Sequence, residues 1–530
     1  MLCRGAIHRV QEFKETLSGT IFNKEDLEDI RDRGITPEKV LNQIEAFRRG
    51  VTSLTLIRPC TVGDGITSLG DKEIKRLSSV YEKAASTGRA MKFVPASGAA
   101  SRMFKLLLSY KGRLVMVLKD PDIHKSFIKF FEEIERFPFY EKLESAMSAN
   151  GMDIKKTLSE MDYGAILDYT LGAKGLNLAD LPKGLIPFHR YGGYSRTPIE
   201  EHMVEAAAYV TNSDGIASIH FTLSPEHEKI VKKHIKDVRK RYERPGLRYE
   251  FSFSTQKRST DMIAADMDNN PFRDQRGRLL FRPGGHGALL ENLIDLNGDI
   301  VFIKNIDNVA PDRLKQATYT YKKALGGLLV ELQTKTFEYM KRLLKGRVDA
   351  ALINEIFEFV ETRLSITPPV GISEATMGKK REYLVSRLNR PLRVCGMVKN
   401  VAEPGGGPFW IRHRDGTSSI QIVETSQVDM GLEGQKGIFE SSTHFNPVDL
   451  ICGMRDYSGR HFSLNDYVDH EAGQITIKSK DGKELKALEL PGLWNGSMAY
   501  WNSVFVEVPL ITFTPVKTVF DLLRKEHQPE

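Results

Sequence analysis

Between residues 89 and 308 short β-rich runs alternate with amphipathic helical stretches, and that alternation points to an open, mostly parallel α/β sheet. The runs are AMKFVP after Arg89, ASIHFTLS (217–224), YEFSFSTQ (249–256) and DIVFIKNIDN (299–308). RTPIEEHMVEAAAYV (196–210) starts a helix between two of them. Thr197 is its cap, Pro198 suits the first turn, and Glu200 and Glu201 favour the positive end of the helix dipole. The helix after residue 224 puts Val231, Ile235, Val238 and Tyr242 on one face. Its other face is basic, and without aromatics for base stacking it reads as a solvated face rather than a nucleic-acid reader. Sheets of this kind bind ligands beyond the carboxyl ends of their strands.

The first run leads into a small-residue loop, Ala96, Ser97, Gly98, Ala99, Ala100 and Ser101, and then a cation, Arg102. Small side chains let backbone N–H groups approach an anion closely, and a helix start just beyond adds partial positive charge. The order strand, small-residue loop, cation suits phosphate. A plain structural turn has the same local appearance, so the rest of the chain must decide.

At 530 residues the chain is long enough for roughly two to four domains. The net charge of +7 is spread along the chain, which fits phosphorylated small molecules without requiring nucleic acid. No apolar run approaches the roughly 20 residues of a membrane helix, and the N-terminus lacks a signal-peptide core. The four cysteines (Cys3, Cys60, Cys395, Cys452) form no CxxC pair, so a reducing cytoplasm is the expected compartment.

Three regions are expected. Residues 1–88 read as a helical layer. Asn23 caps a helix through Arg33, Pro37 opens another with Val40, Ile44 and Phe47 on one face, and a third spans about 71–86. Residues 89–375 form the α/β core, with a helical insertion at 106–181 and long helices between 312 and 365. LPKGLIPF (181–188) reads as an extended apolar segment that supplies the second half of the site. Residues 376–530 are expected to be β-rich (RVCGMV, SSIQIVE, QITIKS, FVEVPLITF), without helical periodicity until a closing DLLRK.

The ordered set PASGAASRM, PKGLIPF, RPGGHGALLENL, FIKNIDN, IQIVETSQVD and FTPVKTVFDLL resembles the sugar-nucleotide pyrophosphorylases of the UDP-glucose and UDP-N-acetylhexosamine types. It also resembles an uncharacterised bacterial family, domain of unknown function 4301. The resemblance runs from about residue 90 to 525, and Pro-Val-Lys followed by Asp-Leu-Leu is its most specific piece. It implies a glycosyltransferase-A-like nucleotidyltransferase fold, with the β-rich C-terminal part completing the sugar side of the site. It implies Mg²⁺ as cofactor, and a nucleoside triphosphate (UTP) and a sugar 1-phosphate as substrates. Position by position, Ala96 to Met103 corresponds to the loop around the triphosphate, with Arg102 near the departing pyrophosphate. Lys183 corresponds to a phosphate-touching lysine. Gln256, Gly284, Gly285, His286 and Gly287 correspond to the base-reading region. Asp307 corresponds to the metal-binding aspartate, Glu424 and Asn446 to the sugar side, and Lys517 to the lysine facing the sugar phosphate. Ser97 and Ala100 stand where glycine is usual, so the resemblance also leaves room for a non-catalytic nucleotide or sugar-nucleotide sensor on the same fold.

The residues themselves agree with this cast. A sugar 1-phosphate is already an anion at neutral pH and needs no general base. What the reaction demands is charge stabilisation at the α-phosphorus, from Mg²⁺ on a carboxylate and from fixed lysines and arginines. Singly, Asp307-Asn308 also reads as an Asx turn, His286 as a turn residue, and Lys183, Glu424 and Lys517 as surface charges. In this order, all together, they read as a site. Oligomeric state, sugar and base are not legible.

Overall fold

A computed structural model describes residues 21–110, 121–346, 348–401 and 405–529. Cys3, the first 20 residues, residues 111–120 of the expected insertion and residues 402–404 lie outside it. Its centre is a mixed sheet of ten strands. In chain order these are β1 (Thr61–Val62), β2 (Gly65–Thr67), β3 (Ala90–Pro95), β4 (Ile216–Leu223), β5 (Arg248–Thr255), β6 (Ile300–Lys304), β7 (Leu392–Lys399), β8 (His444–Phe445), β9 (Asp449–Gly453) and β10 (Asn502–Glu507). Their spatial order is β1-β2-β10-β7-β9-β6-β3-β4-β5, with β8 paired to β7. Along that path every pairing is parallel except those of β9, which runs against β6 and β7. The four expected strands β3, β4, β5 and β6 are adjacent, and strands from beyond residue 376 extend the same sheet.

Both faces of the central strands are buried, as near-continuous apolar runs require. One face of β3 and β6 (Ala90, Val94, Ile300, Phe302) packs under three helices, α1 (Asp71–Ser86), α2 (Pro198–Tyr209) and α3 (Lys315–Lys345). The other (Phe93, Val301, Ile303) meets Leu289, Leu293, Trp410 and Trp501. Helices α1 and α3 cross closely because Gly327 of α3 faces the Leu77 carbonyl, where any Cβ would collide. The helix starting at Lys24 forms with the cap expected at Asn23, the next opens at Pro37 as expected and is capped by Thr36, and α2 forms with its Thr197–Glu200 capping box. The first two lie on a separate sheet of strands Phe281–Arg282, Met262–Ala265, Lys483–Glu489 and Gln474–Lys480.

Helices between Lys105 and Leu171 build a core of their own around Phe127, Phe130, Phe131, Phe137 and Phe139. Ala100 and Met103 join it from the loop after β3, and Val516, Val519 and Leu522 join it from the C-terminal segment. This packing gives the inserted helices a role: they hold the loop and the C-terminal segment against one body.

Three local readings are corrected. Among the described residues, 376–530 hold two unexpected α-helices: Met377–Leu388, capped by Thr376 and buried only through Leu384, Arg387 and Leu388, and Glu433–Glu440, which has no buried residue, so neither shows an apolar stripe. The closing segment is a 3-10 turn, Val519–Leu523, not an α-helix. Within 181–188, Lys183–Leu185 forms a 3-10 turn, with Pro182 bridged to Ala99. No described helix is long and apolar enough to cross a membrane.

Candidate active site

Strands β3, β4, β5 and β6 run in parallel, so the segments that follow them emerge at one edge of the sheet. The loop after β3 is stitched to the turn at Lys183 by Ala100 N–H to the Leu181 carbonyl (3.1 Å) and Lys183 N–H to the Gly98 carbonyl (3.0 Å). The segment after β6 is stitched to the C-terminal segment by Val516 N–H to the Asp307 carbonyl (3.1 Å) and by a bridge between Asn308 and Pro515. Val519 N–H then reaches back to the Met103 carbonyl (3.2 Å). Segments more than 400 residues apart in sequence are thereby joined through backbone alone.

Asp307 is the centre of this junction. Its Oδ2 receives Lys183 Nζ at 3.0 Å and Lys517 Nζ at 3.2 Å, and Lys517 also lies 3.4 Å from Oδ1. Burial alone would raise the Asp307 pKa. The charges of Lys517 and Lys183 outweigh it and hold the carboxyl below the ordinary value. Lys183 is buried, with its ammonium also on the Val516 carbonyl at 3.1 Å, whereas the Lys517 side chain is 54% exposed. Asp521 fixes the start of the C-terminal turn by accepting the N–H groups of Lys517 (2.8 Å) and Thr518 (2.7 Å). Arg102 is exposed and makes no ion pair with a described residue. The N–H groups of Ser97, Gly98 and Ala99, all exposed, donate to no described residue. Ala100 is fully buried in the inserted core, so its methyl points away from this surface, and Ala96 is buried too.

A polar layer beneath β3 and β6 fixes the floor. Glu205 of α2, fully buried, accepts Lys92 Nζ and Lys304 Nζ at 2.8 Å each. Burial would raise its pKa, but the two lysines hold it well below normal. Lys322 of α3 pairs with Asp449, the first residue of β9. His202, kept neutral by burial, donates from Nε2 to the carbonyls of Asn305 and Ile306, the two residues before Asp307, at 3.2 Å each.

The other candidate residues form a second group. His286 stacks on Trp494 at 4.2 Å between ring centroids, and its Nδ1 accepts the Leu493 N–H at 3.1 Å. Burial lowers its pKa, so the ring is neutral and that acceptor is available. Trp494 Nε1 donates to Glu424 Oε1 at 3.2 Å, which ties Glu424 to His286 through one indole. Gly284, Gly285 and Gly287 face the Thr260 carbonyl, the Glu489 carboxylate and the Pro491 carbonyl closely enough to exclude side chains, and Gly285 has φ +74°. Gln256, just past β5, reaches Thr260 Oγ1 at 3.5 Å. Asn446 stands apart: its N–H goes to the Gly406 carbonyl (2.8 Å) and its Oδ1 accepts the Val448 N–H (3.0 Å). The first group and the second share no hydrogen bond among the described residues. Sequence reasoning missed Trp494, whose only local signal is a lone tryptophan in a Pro/Gly turn. It also missed Lys92, Lys304 and Glu205, although lysines inside the apolar runs AMKFVP and IVFIK were visible.

Among the described residues no group of three or more His, Cys, Asp or Glu side chains converges. Asp307 alone offers one carboxylate at the lysine junction. Mg²⁺ keeps several waters and is commonly bound by one or two carboxylates plus substrate phosphates, so Asp307 fits a metal that arrives with a phosphate and not a preformed cage.

An α/β sheet with two lysines meeting one aspartate at its carboxyl edge defines the class. The chain belongs to the family described as domain of unknown function (DUF4301), which residues 23–528 match. Among solved structures it is similar to a uridine diphosphate N-acetylglucosamine pyrophosphorylase from Trypanosoma brucei, at 13% identity and a TM-score of 0.47, covering 92% of this chain and 75% of that one. It is also similar to a UDP-glucose phosphorylase from Trypanosoma brucei (13% identity, TM-score 0.45, covering 95% and 80%). A third is a mutant UDP-glucose pyrophosphorylase from Leishmania major in complex with UDP-glucose (12%, 0.43, covering 94% and 77%). No curated protein matches the chain.

Proposed function

We propose that the protein is a Mg²⁺-dependent nucleotidyltransferase that joins a uridylyl group from UTP to a sugar 1-phosphate and releases pyrophosphate. The observation that carries this reading is the meeting of Lys183 and Lys517 on Asp307, beside a loop whose N–H groups at Ser97, Gly98 and Ala99 donate to no described residue. Two polyanions must be brought together, and the chain's own contribution is a fixed set of positive groups. The loop amides and Arg102 hold the β- and γ-phosphates that depart. Lys517, exposed and on a tethered turn, swings from Asp307 to the phosphates as the substrates meet. Lys183, buried against Val516, keeps its place and fixes the α-phosphate side. A Mg²⁺ bound with the nucleotide at Asp307 would neutralise charge on the phosphates as the bond to the α-phosphorus forms. Trp494, His286 and Glu424 form a wall suited to a base or sugar ring.

A second reading, a nucleotide or sugar-nucleotide sensor, is favoured by one observation: both oxygens of Asp307 are already occupied by lysine ammoniums. One experiment separates the two. The protein is incubated with UTP, Mg²⁺ and a panel of sugar 1-phosphates, and pyrophosphate is followed alongside thermal shift. Pyrophosphate release supports the transferase. A thermal shift with no product on any sugar supports the sensor. Neither response refutes both.

A further inference from the structure

Away from the lysine junction, a cavity of about 200 Å³ opens between the segment 52–55, the hairpin 411–422 and the turn 495–500. Three of its lining side chains are buried amides: Gln421 (3% exposed), Gln427 (7%) and Asn495 (5%). An amide's orientation is ordinarily ambiguous, but here each is fixed by its partner. Gln421 Oε1 accepts Arg393 Nη2 at 2.9 Å, and a guanidinium only donates. Gln427 Oε1 accepts the Glu424 N–H at 3.0 Å, and Asn495 Oδ1 accepts the Gly496 N–H at 3.0 Å. All three oxygens are therefore engaged, and all three NH2 groups lack a partner among the described residues. None of the three nitrogens is sealed off, so each is open to a ligand in the cavity.

Asp469 also lines the cavity. Its Oδ1 takes the Glu471 N–H at 3.0 Å, and it makes no ion pair with a described residue. Ile422 and Tyr500 supply apolar wall. Three neutral donor groups, one carboxylate acceptor and an aromatic edge match hydroxyl groups on a small carbon frame. Arg412 and Arg414 also line the cavity; Glu471 engages Arg414, and the charge of Arg412 offsets that of Asp469, so the lining has no net charge to draw an ion. The volume corresponds to about six waters, which one ring-sized polyol would replace.

We propose that this cavity is a binding site for a small neutral polyhydroxy compound of monosaccharide size. Its hydroxyl oxygens accept from Gln421, Gln427 and Asn495, and one hydroxyl donates to Asp469. The site is separate from the lysine junction, but it shares a wall with the sugar-side group, because Gln427 caps Glu424 and Asn495 follows Trp494.

The test uses the full chain and saturation-transfer NMR with D-glucose, D-mannose and D-sorbitol at about 10 mM, where a millimolar site is mostly filled. Glucose 6-phosphate and gluconate serve as charged counterparts. At least one neutral compound is expected to bind, and its charged counterpart to bind more weakly. Gln421→Glu and Asn495→Asp keep the oxygen that Arg393 or Gly496 uses, put an acceptor where the free donor was and add a negative charge. Each should weaken binding about tenfold, the effect of one lost hydrogen bond. Ala499→Leu, at a half-buried lining position, fills the space and should abolish binding even if the isosteric variants fold poorly. No binding by any neutral compound to the wild-type chain overturns the proposal. So does binding that the folded variants leave unchanged, or preference for the charged forms. These outcomes do not depend on pyrophosphate release.

Discussion

Replacing Asp307 by Asn gives a prediction whose sign depends on the proposed geometry. In the free protein the carboxylate offsets one of the two charges of Lys183 and Lys517, which lie 3.0 and 3.2 Å from Oδ2. A phosphate oxygen about 3 Å from Lys517 on its far side lies roughly 6 Å from that carboxylate. Two unit charges at that distance repel by about 0.7 kcal/mol in water and about 2.8 kcal/mol at the effective dielectric of a protein surface. Asp307→Asn removes this repulsion and keeps a carbonyl oxygen for Lys183. Metal-free UTP should therefore bind the variant roughly 3- to 100-fold more tightly than the wild type, while Mg²⁺ no longer strengthens binding and turnover is lost. Titration calorimetry at low salt, with a chelator and then with Mg²⁺, reads both arms. Equal or weaker metal-free binding by the variant would refute the idea that Asp307 and a phosphate compete for the same lysines.

Three further outcomes follow from the buried charges. Glu205→Gln leaves Lys92 and Lys304 facing each other without a counter-charge, and should lower unfolding free energy by about 3–5 kcal/mol, read as a fall in the urea midpoint at unchanged slope. Burial, only partly offset by Glu205, lowers the Lys92 pKa to about 7, so the unfolded chain holds the extra proton above that pH and stability rises with pH. Lys92→Met lacks this rise, so its stability relative to wild type should be greatest at pH 7 and shrink toward pH 9 by up to about 1.4 kcal/mol per unit; a constant difference would show that the lysine does not titrate in that window. His527 stacks on His189 with a 2.8 Å nitrogen–nitrogen contact, and burial and the His189 charge push its pKa down to about 3. Because the unfolded chain takes up the proton first, stability should fall as pH drops from about 6.5 toward 3, and denaturation midpoints of His527→Gln should show a shallower fall, by about one proton.

Much of the architecture was legible because local and global signals agreed. The four β-rich runs, the Asn23 and Thr197 caps and the Pro37 start all specify by local chemistry what the sheet later buries. The convergence of Lys183, Asp307 and Lys517 came from motif order, since no local property of Lys517 distinguishes it from a surface lysine. What escaped depends on tertiary context. Met377–Leu388 buries too few side chains to show a stripe. The significance of Trp494 lies in His286 and Glu424, 208 and 70 residues away in sequence. Ala100 reads as an obstruction in a phosphate loop until the inserted phenylalanines show where its methyl goes. Lys92 and Lys304 did break the pattern, for an ammonium inside an apolar strand needs a buried carboxylate, and Glu205 supplies it.

The central claim is that the junction of Lys183, Asp307 and Lys517 receives nucleotide phosphates. A crystal structure of the protein grown with UTP and Mg²⁺ tests it most directly. The account predicts the triphosphate over Ser97–Ala99, with Lys517 turned from Asp307 onto a phosphate oxygen and the metal on the carboxylate. A nucleotide seated elsewhere, with both lysines still on Asp307, would contradict it.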